Sequence, residues 1–569
     1  MSVKFTIQTN SMLKYLLKTI VIIILIIINY PAAFAQYTRQ DTLRGSIGNG
    51  RSWWNVKQYN LSIMIDIGNQ SISGTNQIVF AVEKAGKNRF MQIDLQKPME
   101  IDKIEYVQNK YETLSFKREG NVYWVDFGNK NFEKTTTTES QQSVIIHFKG
   151  KPHVAVNAPW DGGWIWAKDE KGRPWITAAC QGLGASVWYP CKDHQSDEPD
   201  NGASLSITVP DSLTAVGNGK LKDKKNNNNG TITWQWQVVN PINNYNIIPY
   251  IGKYVNWTET FKGEKGNLDC SYWVLDYNLE KAKKQFGRDV KPMLNCFEEW
   301  FGPYPFYEDS YKMVETPHLG MEHQSAIAYG NKFMNGYLGN DLSGTGWGSK
   351  WDYIIIHESG HEWFANNITT NDIADMWVHE GFTDYSEVLF VECKYGKKAA
   401  DEYCQGLRQN INNDKPVIGV YGVNKEGSGD MYAKGANLIH TIRQVINDDP
   451  LFKRILRGLN KEFYHKTIDS KDVEKYMARQ SGKDLSKIFD QYLRTIKIPQ
   501  LEYKIEGSSF SYRWTNCVKG FNMPVKISSG GIKRWIKPEE KWQTQTMADW
   551  FNESPFSIDK NFYISVKKV

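Results

Sequence analysis

The sequence predicts an α+β multidomain protein, with a β-rich N-terminal part, a mostly helical middle and a short β-like C-terminal part. Three observations carry that prediction. Partial period-2 alternation recurs from about residue 36 to 254, helical spacing dominates from 279 to 494, and short alternating runs return after 498. At roughly 150 residues per domain, 569 residues accommodate three to four domains. The hydrophobic content of 40% permits sizeable cores, and the 13% of aromatic residues suits β-rich packing first and a binding groove second.

The first 35 residues differ from the rest. Their only charges are Lys4, Lys14 and Lys18; an apolar run follows from Ile20 to Ile28, then Pro31-Ala32-Ala33-Phe34-Ala35. This is the pattern of an export signal, with cleavage expected after Ala35 and Gln36 as the new N-terminus. The run is short for a membrane span, so the mature chain is expected to carry no transmembrane segment and to reach the periplasm or the exterior. The segment holds three of the 69 basic residues and none of the 63 acidic ones, leaving a balance of +3 that argues against a nucleic-acid partner. Seven cysteines, an odd number, leave at least one unpaired, and Cys180 with Cys191 and Cys393 with Cys404 are candidate local bridges.

A β domain is expected over 36–255. Its strands include Tyr59–Ile67, Ser143–Phe148 and Thr231–Val239, with the Asn-rich 222–230 stretch as a hairpin turn. A catalytic domain is expected over 256–497. Within it, 279–301 has helical spacing with Phe286, Val290, Met293, Leu294, Phe297 and Trp300 on one side; Pro292 is expected to kink or split it, and Gly302-Pro303 to stop it. The Gly-rich 336–349 stretch ends in no Gly-Lys-Ser/Thr and reads as a loop, not a phosphate cradle. A small β-sandwich is expected over 498–569, from 501–505, 510–514 and 525–527.

The chemistry centres on His357-Glu358-Ser359-Gly360-His361. Residues four apart share one helix face, so two imidazoles can bind one metal ion while Glu358 takes a proton from the attacking water. Ile354, Ile355, Ile356, Trp363 and Phe364 supply the apolar body that would bury such a helix. A catalytic zinc site takes three protein ligands and keeps one position open. Glu380 follows His361 after eighteen residues, enough for a turn, a connection and a returning helix. Its neighbour His379 is a rival that should point elsewhere on that helix. Read in isolation, the His pair could be structural and Glu380 an ordinary surface residue.

The combination of H-E-x-x-H, eighteen residues and Trp377-x-x-Glu380-Gly381-Phe382 resembles the gluzincin aminopeptidases, peptidase family M1. Leu319-Gly320-Met321-Glu322-His323 is similar to that family's G-x-M-E-N segment, with Leu319 and His323 in place of the usual Gly and Asn. The resemblance implies that Glu322, with Gly320 and Met321, binds the free α-amine of a peptide. Tyr432 in Met431-Tyr432-Ala433-Lys434-Gly435 resembles the family's oxyanion-binding tyrosine. Ala179-Cys180-Gln181-Gly182 and Trp188–Asp193 resemble segments of the branch containing leukotriene hydrolase, which implies Gln181 at the N-terminal subsite.

Covering about 54 to 499, the resemblance implies a saddle-like β domain, a thermolysin-like catalytic domain and a small β-sandwich, without the long C-terminal helical domain many members carry. It implies one Zn2+ per chain held by His357, His361 and Glu380, with Glu358 and Tyr432 catalytic and peptides with a free N-terminus as substrates. Endopeptidase or epoxide hydrolase activity on the same core, or a catalytically weak peptide-binding relative, are the alternatives.

Overall fold

The computed structural model describes residues 37–108, 110–529, 532–546 and 556–569. The export segment expected over 1–35 lies outside the described residues. Nine α-helices are described: α1 (Arg39–Gly45), α2 (Leu279–Phe301), α3 (Tyr353–Gly360), α4 (Trp377–Tyr395), α5 (Lys397–Gly406), α6 (Ala433–Ile446), α7 (Asp449–Glu462), α8 (Ser470–Ser481) and α9 (Ser486–Arg494). Among the described residues no helix is long and apolar enough to cross a membrane.

The N-terminal part is built from sheets. An eight-stranded sheet runs in the spatial order Lys220–Asn226, Thr231–Val238, Ala203–Pro210, Trp54–Asp66, Ser71–Val82, Gln142–Gly150, Glu100–Val107, Tyr111–Thr113. Ala203–Pro210 and Thr231–Val238 alternate buried and half-buried residues along their length, as strands with one face on a core do. A four-stranded sheet (Thr214–Val216, Tyr250–Gly252, Pro174–Ala179, Gly163–Lys168) and a three-stranded sheet complete this part. Between them lies a core rich in Trp53, Trp54, Phe80, Trp164 and Trp188.

A five-stranded sheet links this part to the helices, in the order Tyr254–Gly263, Gly266–Leu275, Tyr311–Glu315, Ile327–Tyr329, Gly320–Met321. Its inner strands are buried on both faces. Trp273, Leu275, Val314 and Ala328 point into the β core, whereas Tyr272, Val274, Met313 and Ile327 point into the helical core. The edge strand Gly320–Met321 therefore lies where the two cores meet.

The helical core extends without a break into the C-terminal strands, reaching Leu501, Phe510 and Trp514. Those strands form a four-stranded and a three-stranded sheet. They are tied to the helices through Tyr492 Oη donating to the Tyr563 carbonyl (2.5 Å) and Tyr563 N donating to Thr441 Oγ1 (3.1 Å).

Three expectations need correction. Pro292 does not split α2, which runs for 23 residues. The proline faces solvent, and the burial of Phe286, Val290, Met293, Leu294 and Phe297 outweighs one lost backbone bond. The H-E-x-x-H segment is not wholly inside a helix. α3 ends at Gly360, and His361 is its C-cap with helical φ/ψ. The chain then makes a π-type turn over Glu362–Asn366 in which Ala365 takes φ 126°.

The local cysteine bridges do not form. Cys296 of α2 pairs with Cys393 of α4, 97 residues apart, and Cys180, Cys191 and Cys404 are buried free thiols. A disulfide needs facing Cβ vectors. α4 turns its last residues toward α2, whereas Cys404 lies on α5 beside α6, its carbonyl accepting from Asn437 Nδ2 (3.1 Å). Cys180 Sγ donates instead to the Tyr245 carbonyl (3.6 Å).

Candidate active site

α3 is short and buried at every position. Its N-terminus is held by Asp352, whose carboxylate caps the Ile354 and Ile355 amides and also accepts from Tyr329 Oη, Gln285 Nε2 and Asn331 Nδ2. α4 lies against α3 and α6 against α4. The α4–α6 crossing is made at glycines: a Cβ on Gly435 would stand 2.7 Å from Gly381 Cα, closer than packed atoms allow. That approach sets Tyr432, which immediately precedes α6, beside the ends of α3 and α4.

His357, His361 and Glu380 converge here. His357 Nε2 and His361 Nε2 are 3.3 Å apart, and Glu380 Oε2 stands 3.6 and 3.3 Å from them. All three side chains are buried, and Glu380 Oε2 has no hydrogen-bond partner among the described residues. A tetrahedral ion with bonds of about 2.0–2.1 Å spaces its ligands about 3.3 Å apart. The triangle therefore fits zinc, and a buried carboxylate oxygen with no partner is a position that a cation satisfies.

The distal nitrogens are held as metal-binding imidazoles require. His357 Nδ1 donates to Glu387 Oε1 (2.7 Å), whose other oxygen accepts from Tyr403 Oη (2.6 Å). His361 Nδ1 donates to the Phe364 carbonyl (3.0 Å), which the π-type turn aims at it. Glu380 sits in the first turn of α4, where the helix dipole favours a carboxylate. Burial opposes its charge, but His361 and His357 hold it well below the usual carboxylate range. His379 points away: its Nε2 accepts from the Thr370 amide (2.9 Å), and burial lowers it to about 3.

Glu358 borders the same cleft. Burial, opposed by His357 and His361 and reinforced by Glu322 and Glu380, raises it to about 7. Gly320 passes so close that a Cβ there would lie 2.7 Å from Glu358 Oε1, so the edge strand presents bare backbone to the cleft. The Tyr432 ring lies 6.1 Å from that of His357. Burial first, then Glu380 and Glu426, push its phenol well above 10, so it remains a proton donor.

Glu322 enters from the opposite wall. Its Oε1 accepts from Gln181 Nε2 (2.6 Å) and Tyr245 Oη (2.8 Å), and its backbone carbonyl accepts from Asn366 Nδ2 (2.8 Å). Ligand atoms of Glu322, Glu358 and His361 all lie within 4.8 Å of one another. The cleft, of about 610 Å³, is lined by these residues together with Met321, Leu319 and Trp160. His323 is turned away from it: its Nδ1 meets Tyr250 Oη at 2.5 Å, inside the protein. Of the two departures in that segment, only Leu319 touches the cleft.

Every sequence-predicted site residue is thus gathered in one cleft. Sequence reasoning missed Glu387, Asp384 and Tyr245. The first two had a signal, since Glu380, Asp384 and Glu387 recur at i, i+4 and i+7 on one face of α4. Tyr245, in a short turn of the β part, had none.

Comparison with known proteins covers the same segments. Residues 288–492 match the Peptidase family M1 domain, and residues 55–245 match the Peptidase M1 N-terminal domain. Aminopeptidase B of Mus musculus is 24% identical over 350 residues, 57% of this chain and 50% of its own length. Probable aminopeptidase 2 of Sulfurisphaera tokodaii is 22% identical over 386 residues, 64% of this chain and 46% of its own. The chain thus spans about half the length of these curated relatives. An M1 zinc metallopeptidase from Deinococcus radiodurans, crystallised with a Tyr-Ser-Ala substrate, shares the fold with a TM-score of 0.66 at 18% identity; the match covers 79% of this chain and 96% of that one.

Proposed function

Because the chain belongs to peptidase family M1, we propose that it is a zinc aminopeptidase that removes single residues from peptide N-termini. The observation that carries this reading is the closeness of Glu322 to Glu358 and His361, within 4.8 Å. In a peptide the α-nitrogen and the first carbonyl carbon are about 2.5 Å apart. A substrate whose ammonium pairs with Glu322 therefore has room for only its first carbonyl at the reacting position.

His357, His361 and Glu380 would hold the zinc. When bound, the ion polarises the scissile carbonyl and lowers the pKa of the attacking water toward neutrality. Glu358 accepts that water's proton and returns it to the leaving amine, work suited to a buried carboxyl at the edge of the cleft. Tyr432 donates its phenol proton in a hydrogen bond to the oxyanion of the tetrahedral intermediate. Gln181 and Tyr245 keep the Glu322 carboxylate in place, and the bare backbone at Gly320 leaves an edge along which an extended peptide can lie. Export is part of this reading. It is supported by the pattern of residues 1–35 and by the Cys296–Cys393 bridge, which suits an oxidising compartment.

The test is hydrolysis of aminoacyl amides by protein expressed without residues 1–35, with and without a chelator, alongside the same substrates N-acetylated. Chelator-sensitive release from the free amines alone is the expected result. Equal cleavage of the acetylated substrates would overturn the exopeptidase reading in favour of an endopeptidase.

A further inference from the structure

Three of the described tryptophans are exposed: Trp160 at 62%, and Trp535 and Trp542 at 39% each. Two of them have company. Lys526 lies over the Trp535 ring at 5.0 Å, and Arg513 over the Trp542 ring at 4.6 Å. Trp160 has none: its indole makes no hydrogen bond, ring stack or cation contact with another described residue. It is also the only exposed apolar side chain among the described residues that line the catalytic cleft. A large aromatic surface left in water at the wall of a cleft is a surface prepared for a ligand.

The loop that carries it is fixed. Asp161 Oδ2 accepts from the Val156 and Asn157 amides (2.6 and 2.8 Å), Trp160 N donates to the Asn157 carbonyl (3.1 Å), and Gly162 N donates to the Pro159 carbonyl (3.2 Å). At the base of the loop Ala155 N donates to the Trp164 carbonyl (3.0 Å) and Trp164 N to the His153 carbonyl (2.7 Å). Gly162 takes φ 71° and packs so closely that a Cβ there would stand 2.8 Å from Leu183 Cβ. The loop is thereby seated on the segment whose Gln181 donates to Glu322. The indole is thus held at the β wall by its backbone, while its ring stays free.

We propose that Trp160 is a specificity-determining residue for the second residue of the peptide, packing its indole on an aromatic or large aliphatic side chain there. This deepens the aminopeptidase reading and rests on it. The end of the cleft that takes the α-amine is enclosed, since Glu322, Tyr245 and Glu358 are all buried. A peptide held there by its amine leads outward after its first residue, along the bare edge at Gly320 and past the exposed part of the lining. An extended chain advances about 3.3 Å per residue, so the second residue is the first to emerge from the enclosed end. The large apolar side chain it meets on that path is Trp160. Val156, 93% exposed on the same loop, continues the apolar surface outward. Ring partners gain from edge-to-face or offset stacking beyond the area they bury, which favours an aromatic second residue over glycine.

The test compares kcat and KM for leucyl-phenylalaninamide and leucyl-glycinamide between the zinc-loaded wild type, Trp160→Ala and Trp160→Phe. Binding of the same two peptides to the three proteins is measured by calorimetry. The wild type is expected to favour the phenylalanine peptide by at least fivefold in kcat/KM. Trp160→Ala should lower that preference at least threefold, through KM, and Trp160→Phe should keep at least half of it. A wild-type preference below fivefold, or a preference that Trp160→Ala changes by less than threefold, overturns the proposal and leaves the aminopeptidase reading standing. A loss in Trp160→Ala that falls on kcat for both peptides alike shows a structural role and overturns it too. If no free-amine substrate is cleaved, the aminopeptidase reading fails instead, and the ratio of the two binding constants, judged by the same thresholds, still decides whether Trp160 selects the second side chain.

Discussion

The two walls of the cleft are built differently. The helical wall takes the three residues proposed to hold the metal from 24 consecutive positions, 357–380, and the second nitrogens of both histidines are held from α4 or the turn that follows α3. The β wall is assembled from segments far apart in the chain: Glu322 meets Gln181 across 141 positions and Tyr245 across 77. The first wall is suited to holding an ion and moving a proton, which depend on fixed distances between a few atoms. The second is the wall proposed to hold the end of a peptide, and its geometry depends on how the sheets pack on the helices. The same difference divides the Glu322 segment itself. Gly320, Met321 and Glu322 reach the cleft, while His323, one residue on, is drawn into the interior by Tyr250.

Perturbing each wall separately should give different kinds of loss. The largest effect is expected from Glu358→Gln, which removes the base and leaves the metal donors: turnover should fall by about 10³-fold or more with one zinc per chain retained by metal analysis. Near-normal turnover would sink the assignment of the proton-transfer step to the helical wall. Next comes Glu387→Gln, which loosens the support of His357. Zinc affinity, read by competition with a chelating dye, should weaken by about 10–100-fold, while KM of the reloaded enzyme changes little.

On the β wall, Tyr245→Phe removes one donor to Glu322 and should cost about tenfold in kcat/KM, expressed mostly in KM, with zinc affinity untouched. A change in zinc affinity of the same size would erase the distinction between the walls.

The smallest effect lies at their junction. Burial raises Glu198 to about 8, and its neighbour Thr369 hydrogen-bonds both to it and to the Ala365 carbonyl. A hydroxyl has one proton, so a protonated Glu198 completes the pair by donating to Thr369. Because the folded pKa lies above the ordinary 4.5, the folded state binds this proton more tightly than the unfolded state. The Glu198 contribution to stability is therefore present below about 4.5 and is lost as pH rises toward 8. Glu198→Gln, which cannot ionise, should melt less far below the wild type, or above it, as pH goes from 5 to 8. The relative shift should be roughly a few °C by calorimetric melting. A pH-independent difference would show that Glu198 is ionised in the fold.

Much of the helical wall was legible because its signals are local. The i, i+4 histidines, the base between them and the returning glutamate are fixed by helix geometry and a short connection, and the residues expected to converge do so. The cysteines show the opposite. Nearness in sequence suggested Cys393 with Cys404, yet Cys393 bonds to Cys296, because α4 and α2 pack side by side and α5 turns away. Pro292 misled for a related reason: a helix boundary signal is worth a few kcal/mol, and the buried face of α2 outweighs it.

The sequence by itself determined the order of β, helical and β parts, the residues proposed as metal donors and base, and the segments that mark the family. Each depends on residues close enough along the chain for backbone geometry alone to place them. Only the tertiary structure decided that Tyr245 and Gln181 hold Glu322, that Glu387 holds His357 and that His323 leaves the cleft. Those outcomes depend on which buried faces meet, and the packing of apolar surface that drives such meetings is non-directional and carries no mark in the sequence period of any one element.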